Sequence, residues 1–179
     1  MDHRAVIDFW FRETDPSRWF ASDPEFDGVI RRRFLALHSA AARGELWTWR
    51  TEPDGRLAEI IVLDQFSRNL YRETPLAFAQ DGMALVLAQE AITAGSDRAL
   101  DAPRKAFLYM PFMHSESPLV NERAVELFSA PGLEHNLAFE LRHRAIIQRF
   151  GRYPHRNALL GRASTREELA FLAEPGSSF

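Results

Sequence analysis

Start and stop signals for helices recur along this chain, and nothing between them alternates at period two for long enough to make a strand. Asp2 caps a first helix carrying Val6, Phe9 and Trp10 on one side. A loop through Asp15-Pro16 and Asp23-Pro24 follows, with Trp19 and Phe20 as anchors onto the core. A second helix is predicted over 24–43, with Ile30, Phe34, Leu37 and Ala41 as its apolar stripe and Gly44 as its stop. A loop with two tryptophans leads to a third helix over 57–72. Thr74-Pro75 reads as an N-cap followed by proline in the first helical position, opening a fourth helix that runs to Gly95. Its small residues, Ala77, Gly82, Ala84, Ala88 and Ala91, suit close packing on a neighbour. Further starts stand at Ala102-Pro103 and Ser117-Pro118, another helix covers 134–150, and Ser164/Thr165 with Glu167/Glu168 form overlapping capping boxes for the last. The expected fold is all-α: a compact array of about eight helices in a single domain over residues 1–179, with irregular repeats at most and only a short "EPGSSF" tail outside it.

Composition narrows the class. Hydrophobic residues make up 46 % of the 179 and charged residues 26 %, the balance of a folded globular chain. There is no cysteine, which excludes disulfides, thiolate chemistry and cysteine–zinc sites. No apolar run approaches the roughly 18 residues of a membrane span, and charges interrupt the N-terminal "MDHRAVIDFWFRE", so a cytoplasmic protein without a membrane partner is expected. The net charge of −3 hides an asymmetry: seven arginines and no acid lie between Glu140 and Glu167. The acidity of the whole chain, and the burial expected for several of these arginines, argue against nucleic acid as their partner.

Three polar stretches interrupt the apolar helices. In "IIVLDQFSRNLYR", residues 60–72, the first four residues point around almost the full helical circle, so this helix should be buried on every side. Asp64, Arg68 and Arg72 then follow at four-residue steps, the favourable order for an ion pair. A buried charge needs a partner, so Asp64 and Arg68 either brace the helices or, with Gln65, Asn69 and Arg72, line a cavity. In "FLYMPFMHSES", residues 107–117, Pro111 should kink or end the helix and leave His114 and Glu116 at an irregular corner. Ser117 and Glu116 have an alternative role at the start of the next helix. In "RFGRYPHRN", residues 149–157, one helix stops at Gly151 and a helical turn starts at Pro154. Arg149, Arg152, His155, Arg156 and Asn157 sit at this donor-rich corner, where free backbone N–H groups and positive charge suit an anion. Upstream, His143 falls mid-stripe among Phe139, Ile146, Ile147 and Phe150 and reads as a core histidine.

The stretches "LDQFSRNLYR", "FLYMPFMHSE" and "HRAIIQRFGRYPHRNALLGR", in that order, resemble the bacterial domain of unknown function 924 family. The "FWF", "RWF" and "EFD" elements near the N-terminus and "AFAQDGMALVLA" at 77–88 are similar to it too, so the resemblance covers essentially the whole chain. Ser67 and Asn121 stand where that family more often has proline and glutamine. The resemblance implies a tetratricopeptide-like helical fold and leaves the activity to be argued from the residues.

On those residues the expectation is a polar pocket for a small anionic ligand. It would be built from Asp64, Gln65, Arg68, Asn69, Arg72, His114, Glu116, Arg149, Arg152, His155, Arg156 and Asn157. If chemistry occurs, His114 or His155 carries the proton, with Glu116 or Asp64 as its partner. No nucleophile motif, glycine-rich phosphate loop or metal-spaced His/Glu pair is present, so neither a cofactor nor a metal is expected. The alternative is a tetratricopeptide-like module that clamps an acidic peptide, its polar network otherwise structural.

Overall fold

A computed structural model describes residues 1–177, and among them the regular structure is entirely helical. The last two residues of the "EPGSSF" tail lie outside the described part. Eight α-helices follow one another: α1 His3–Asp8, α2 Pro24–Ala42, α3 Pro53–Leu70, α4 Asp81–Thr93, α5 Ala102–Met113, α6 Pro118–Phe128, α7 Glu134–Phe150 and α8 Arg166–Leu172. Most ends follow from the local chemistry. Asp2 accepts from the Arg4 N–H, Asp23 from those of Glu25 and Phe26, and Asp101 from that of Arg104. Thr165 and Glu168 close the capping box of α8, and Gly151 ends α7 in the left-handed conformation with φ of 68°.

Four expectations need correction. The fourth helix starts at Asp81, not at Pro75: Pro75–Phe78 is a separate 3-10 turn. Thr74 donates its hydroxyl back to the Tyr71 carbonyl at 2.7 Å and so caps nothing ahead of it. Gly82, expected in a packed stripe, is exposed, while Ala84, Ala88 and Ala91 are fully buried. The third helix starts earlier than its apolar run, at Pro53. Pro111 does not end α5, which runs two residues further, so only its last turn forgoes a backbone bond.

At the centre stands α3, packed on α1, α2, α4 and α5. Its residues Leu57 to Ser67 are all buried, as the apolar run required. Each large side chain buried there removes enough apolar surface to contribute about 1.5–3 kcal/mol. Around Phe66, in the C-terminal half of α3, lies an aromatic core, in which Phe34 and Phe66 stand 4.9 Å apart and Trp10 meets Phe107 edge-on at 5.5 Å. Trp19 joins it, 4.9 Å from Phe107 and donating its indole N–H to the Trp10 carbonyl at 3.0 Å. Phe20 does not anchor: it rests on the outer face of Phe107 and stays 69 % exposed. On the other side, α5 packs on α6 and α6 on α7, and the chain after α7 folds a small cluster of Ile146, Ile147 and Tyr153 with Phe150 and Phe171. Among the described residues no helix is long and apolar enough to cross a membrane.

Candidate functional site

Where the polar side of α3 meets the end of α5, a cavity of about 490 Å³ opens. Its wall is half apolar. Met110 and Met113 come from α5, Phe78 from the 3-10 turn before α4, Phe139 from α7, and Trp19 and Phe20 from the loop before α2. The polar half holds Gln65, Arg68, Asn69 and Arg72 at helical spacing along α3, His114 at the end of α5, and His155 and Arg156 from the corner after α7. Three segments far apart in sequence thus face one space. Phe20, Glu73 and Phe139 are exposed at its rim, which is where it meets solvent. A smaller hollow of about 250 Å³ beside His38 and Tyr71 has no charged lining.

Guanidinium groups on this wall are largely matched by acids. Arg72 makes a two-point contact with Asp27 of α2, at 2.7 and 2.9 Å, and Asn69 donates to the same carboxylate at 2.8 Å. Arg68 is held at 3.0 and 3.1 Å by Asp81, the first residue of α4, and lies 3.1 Å from Asp64. Arg156 has the poorest supply. Its Nη1 reaches Asp81 at 3.4 Å and the His114 carbonyl at 3.1 Å, and its Nε is buried with no partner. Its guanidinium carbon lies over the rings of Phe78 and Tyr153, at 4.7 and 4.6 Å from their centroids. Burial and the nearby Arg68 both lower its pKa, with Asp81 opposing.

Asp64 is the hub of the polar wall. It is fully buried, and its Oδ1 accepts from His114 Nδ1 at 2.7 Å while its Oδ2 accepts from Gln65 at 2.6 Å. Burial opposes its ionisation, but Arg68, His114 and Gln65 outweigh that and hold the carboxyl well below the usual range. Burial and Arg68 lower the His114 pKa, against the opposing pull of Asp64. Four of the six histidines, 114, 135, 143 and 155, line this one cavity. Burial takes His143 down to about 3, and burial together with Arg156 takes His155 to about 4. At neutral pH the His143 and His155 rings are therefore uncharged donors and acceptors.

The structure divides the sequence-level set. Gln65, Arg68, Asn69, Arg72, His114, His155 and Arg156 line the cavity, and Asp64 lies directly behind it. The other four do not line it. Glu116 turns to the Arg162 guanidinium at 2.6 and 2.9 Å and to the Tyr153 N–H at 2.8 Å, so it anchors the corner instead of pairing with His114. Arg149 pairs with Glu167 on the surface, Arg152 pairs with Glu168, and Asn157 is buried against Ser164 and Arg162. Sequence reasoning missed the aromatic and methionine half of the wall, His135, Asn136 and Leu159, and the bridging Asp81. His143 does bond within its helix, to the Phe139 carbonyl at 2.9 Å, and it reaches the cavity as well.

Residues 6–176 match the model of the bacterial proteins of unknown function called DUF924. The chain belongs to this family. A solved structure of a protein of unknown function from Agrobacterium tumefaciens is similar at 39 % identity, covers 96 % of both chains and superposes with a TM-score of 0.91. No curated protein matches the chain. The DUF924 match spans every residue that lines the cavity, from Trp19 to Leu159. The two departures noted in the sequence lie off its wall. Ser67 donates to the Leu63 carbonyl and meets His38 Nε2 at 2.8 Å, and Asn121 donates to the Ser115 carbonyl at 2.8 Å.

Proposed function

We propose that the cavity binds a small molecule with a flat apolar body and a single carboxylate. The observation that carries the reading is Arg156: a buried guanidinium on the cavity wall, with one nitrogen lacking a partner and only a long contact to a shared aspartate. Such a donor is costly to leave unmade and suits a carboxylate oxygen. Around it, Phe78, Met110 and Met113 supply faces for a ring, and the volume lies in the range of small-molecule sites.

Charge balance selects the head group. Arg68 is already engaged by Asp81 and Arg72 by Asp27, so the wall has little positive charge left for a polyanion. A polyphosphate would meet Asp64, Asp81 and the rim Glu73 without enough cations to offset them. Peptide binding has less support, because the polar groups gather around one bounded space instead of spreading along a groove.

Thermal unfolding with benzoate, 2-naphthoate, inorganic phosphate and an acidic C-terminal peptide tests this. A ligand bound only by the folded state at a hundred times its Kd adds about 2.7 kcal/mol, or roughly 5–10 °C for a chain of this size. The aromatic carboxylates should raise Tm, and Arg156→Met should weaken them at least tenfold. A shift with phosphate or the peptide and none with the carboxylates overturns the reading.

A further inference from the structure

One of the four cavity histidines is mounted differently from the rest. His114 ends α5, and its Nδ1 lies 2.7 Å from Oδ1 of a carboxylate that is itself wholly buried. Because Asp64 is ionised, Nδ1 is the protonated nitrogen and donates. Asp64 cannot swing away, since Gln65 holds its other oxygen at 2.6 Å and Arg68 flanks it at 3.1 Å. Nε2 is left with its lone pair, and among the described residues the side-chain hydrogen bond of His114 runs through Nδ1 alone. The main chain is fixed too, because Arg156 Nη1 donates to the His114 carbonyl at 3.1 Å. That bond also brings the cavity's underused guanidinium up to the histidine.

Among the described residues no serine, threonine, tyrosine, lysine or cysteine lines the cavity. A fixed base on a cavity wall without a hydroxyl, thiol or amine nucleophile has water to act on. We propose that His114, positioned by Asp64, is a general base that activates water for hydrolysis of a carboxylic ester with an aromatic acyl group. This inference rests on the carboxylate site proposed above, and the product of the reaction is the anion that site binds.

The step balances without any further reagent. Nε2 removes a proton from water as the water oxygen bonds to the ester carbonyl carbon. The carbonyl π pair moves onto its oxygen, where the Arg156 guanidinium offsets the charge. Collapse of that intermediate breaks the bond to the alcohol oxygen, which takes the proton from Nε2. The acid product releases its own proton to solvent. Asp64 does not touch the substrate: it sets the tautomer and stabilises the imidazolium that forms. The lowered His114 pKa, caused by burial and Arg68, keeps the ring in its basic form at neutral pH.

The test measures hydrolysis of p-nitrophenyl benzoate alongside binding of benzoate. His114→Asn keeps an N–H for Asp64 and removes the proton acceptor. It should lower kcat at least 100-fold, the lower end of general-base effects. Asp64→Asn should lower kcat similarly and abolish the histidine limb of the pH profile. Since either variant can misfold, long-range proton–nitrogen NMR of the unsubstituted protein provides an independent readout. It should show His114 protonated at Nδ1 and bare at Nε2 at pH 7. A ring protonated at Nε2, or turnover no faster than in His114→Asn while benzoate still binds, overturns the general base and leaves the pocket standing. Failure of benzoate to bind removes the pocket reading and this one with it.

Discussion

Glu140 sits on α7 with no exposed surface, and both its carboxyl oxygens are buried without a partner. An ionised carboxylate there would lose its hydration and gain nothing close enough to replace it. Burial therefore pushes its pKa up to about 8, with Glu122 adding to the rise and Arg144 opposing it. The sign of the pH dependence follows. The native state keeps a proton that the unfolded chain releases from about pH 4.5 upward. Stability thus falls as pH climbs through this window, by up to about 1.4 kcal/mol per pH unit from this group alone, and levels off above about 8. Glu140→Gln resembles the protonated acid and should remove that slope. In urea unfolding at pH 5, 7 and 8.5, the variant should match the unsubstituted protein at pH 5 and exceed it increasingly at the higher values. Parallel stability curves would show that Glu140 is paired in solution. Sequence pattern could not single out this residue, because a glutamate in an arginine-rich helix reads as part of a solvated face.

At the scale of elements, α3 governs the fold, and its entry is the tightest joint. A Cβ placed on Gly55 would lie 2.0 Å from the Trp49 carbonyl oxygen, in the backbone of the 3-10 turn Trp47–Thr51 that packs on the first turn of α3. Backbone cannot move aside as a side-chain tip can. Gly55→Ala should therefore destabilise by about 3 kcal/mol, the upper part of the overpacking range, lowering Tm by roughly 6–12 °C. Gly82, in the first turn of α4, has open space where a Cβ would go. Gly82→Ala should be neutral or stabilising by up to about 1 kcal/mol. Scanning calorimetry of the two variants checks the pair, and equal losses would mean helix propensity and not the Trp49 contact decides. The helices themselves were legible in the sequence because their ends are local chemistry: Asp23 with Pro24, Gly151 at φ of 68°, and Thr165 with Glu168 all act within four residues. Pro75 misled for the complementary reason. A proline permits a first turn without extending it, and the Thr74 hydroxyl was already committed to Tyr71.

Across the whole molecule, the cavity exists only because the chain after α7 returns to it. Its polar half was legible on α3, where Asp64, Gln65, Arg68 and Asn69 interrupt an all-round apolar run. The acids that neutralise it, Asp27 and Asp81, come from α2 and α4 and leave no local trace. Nor does the division of the arginine-rich corner, where His155 and Arg156 face inward and Arg149 and Arg152 pair with α8 and its first turn. Glu116 decides how that corner docks. It receives the Tyr153 N–H and two nitrogens of Arg162, while Arg162 also bonds the Tyr153 carbonyl at 3.2 Å and Asn157 Oδ1 at 3.0 Å. These contacts close the loop 153–162 onto the end of α5 without Glu116 lining the cavity. Glu116→Ala leaves the partly buried Arg162 and a backbone N–H unmatched, so a loss of about 2–4 kcal/mol is expected. The functional consequence is separable from stability. His155 and Arg156 ride on this loop, so benzoate affinity should fall at least tenfold even at a temperature where the variant is folded, and amide exchange should quicken in 153–162 more than in α3. Glu116→Gln, which keeps one acceptor, should fall between the two. Destabilisation spread evenly over the chain, with ligand affinity preserved in the folded fraction, would show that the corner holds its place through Tyr153 and the small cluster around it, independently of this carboxylate.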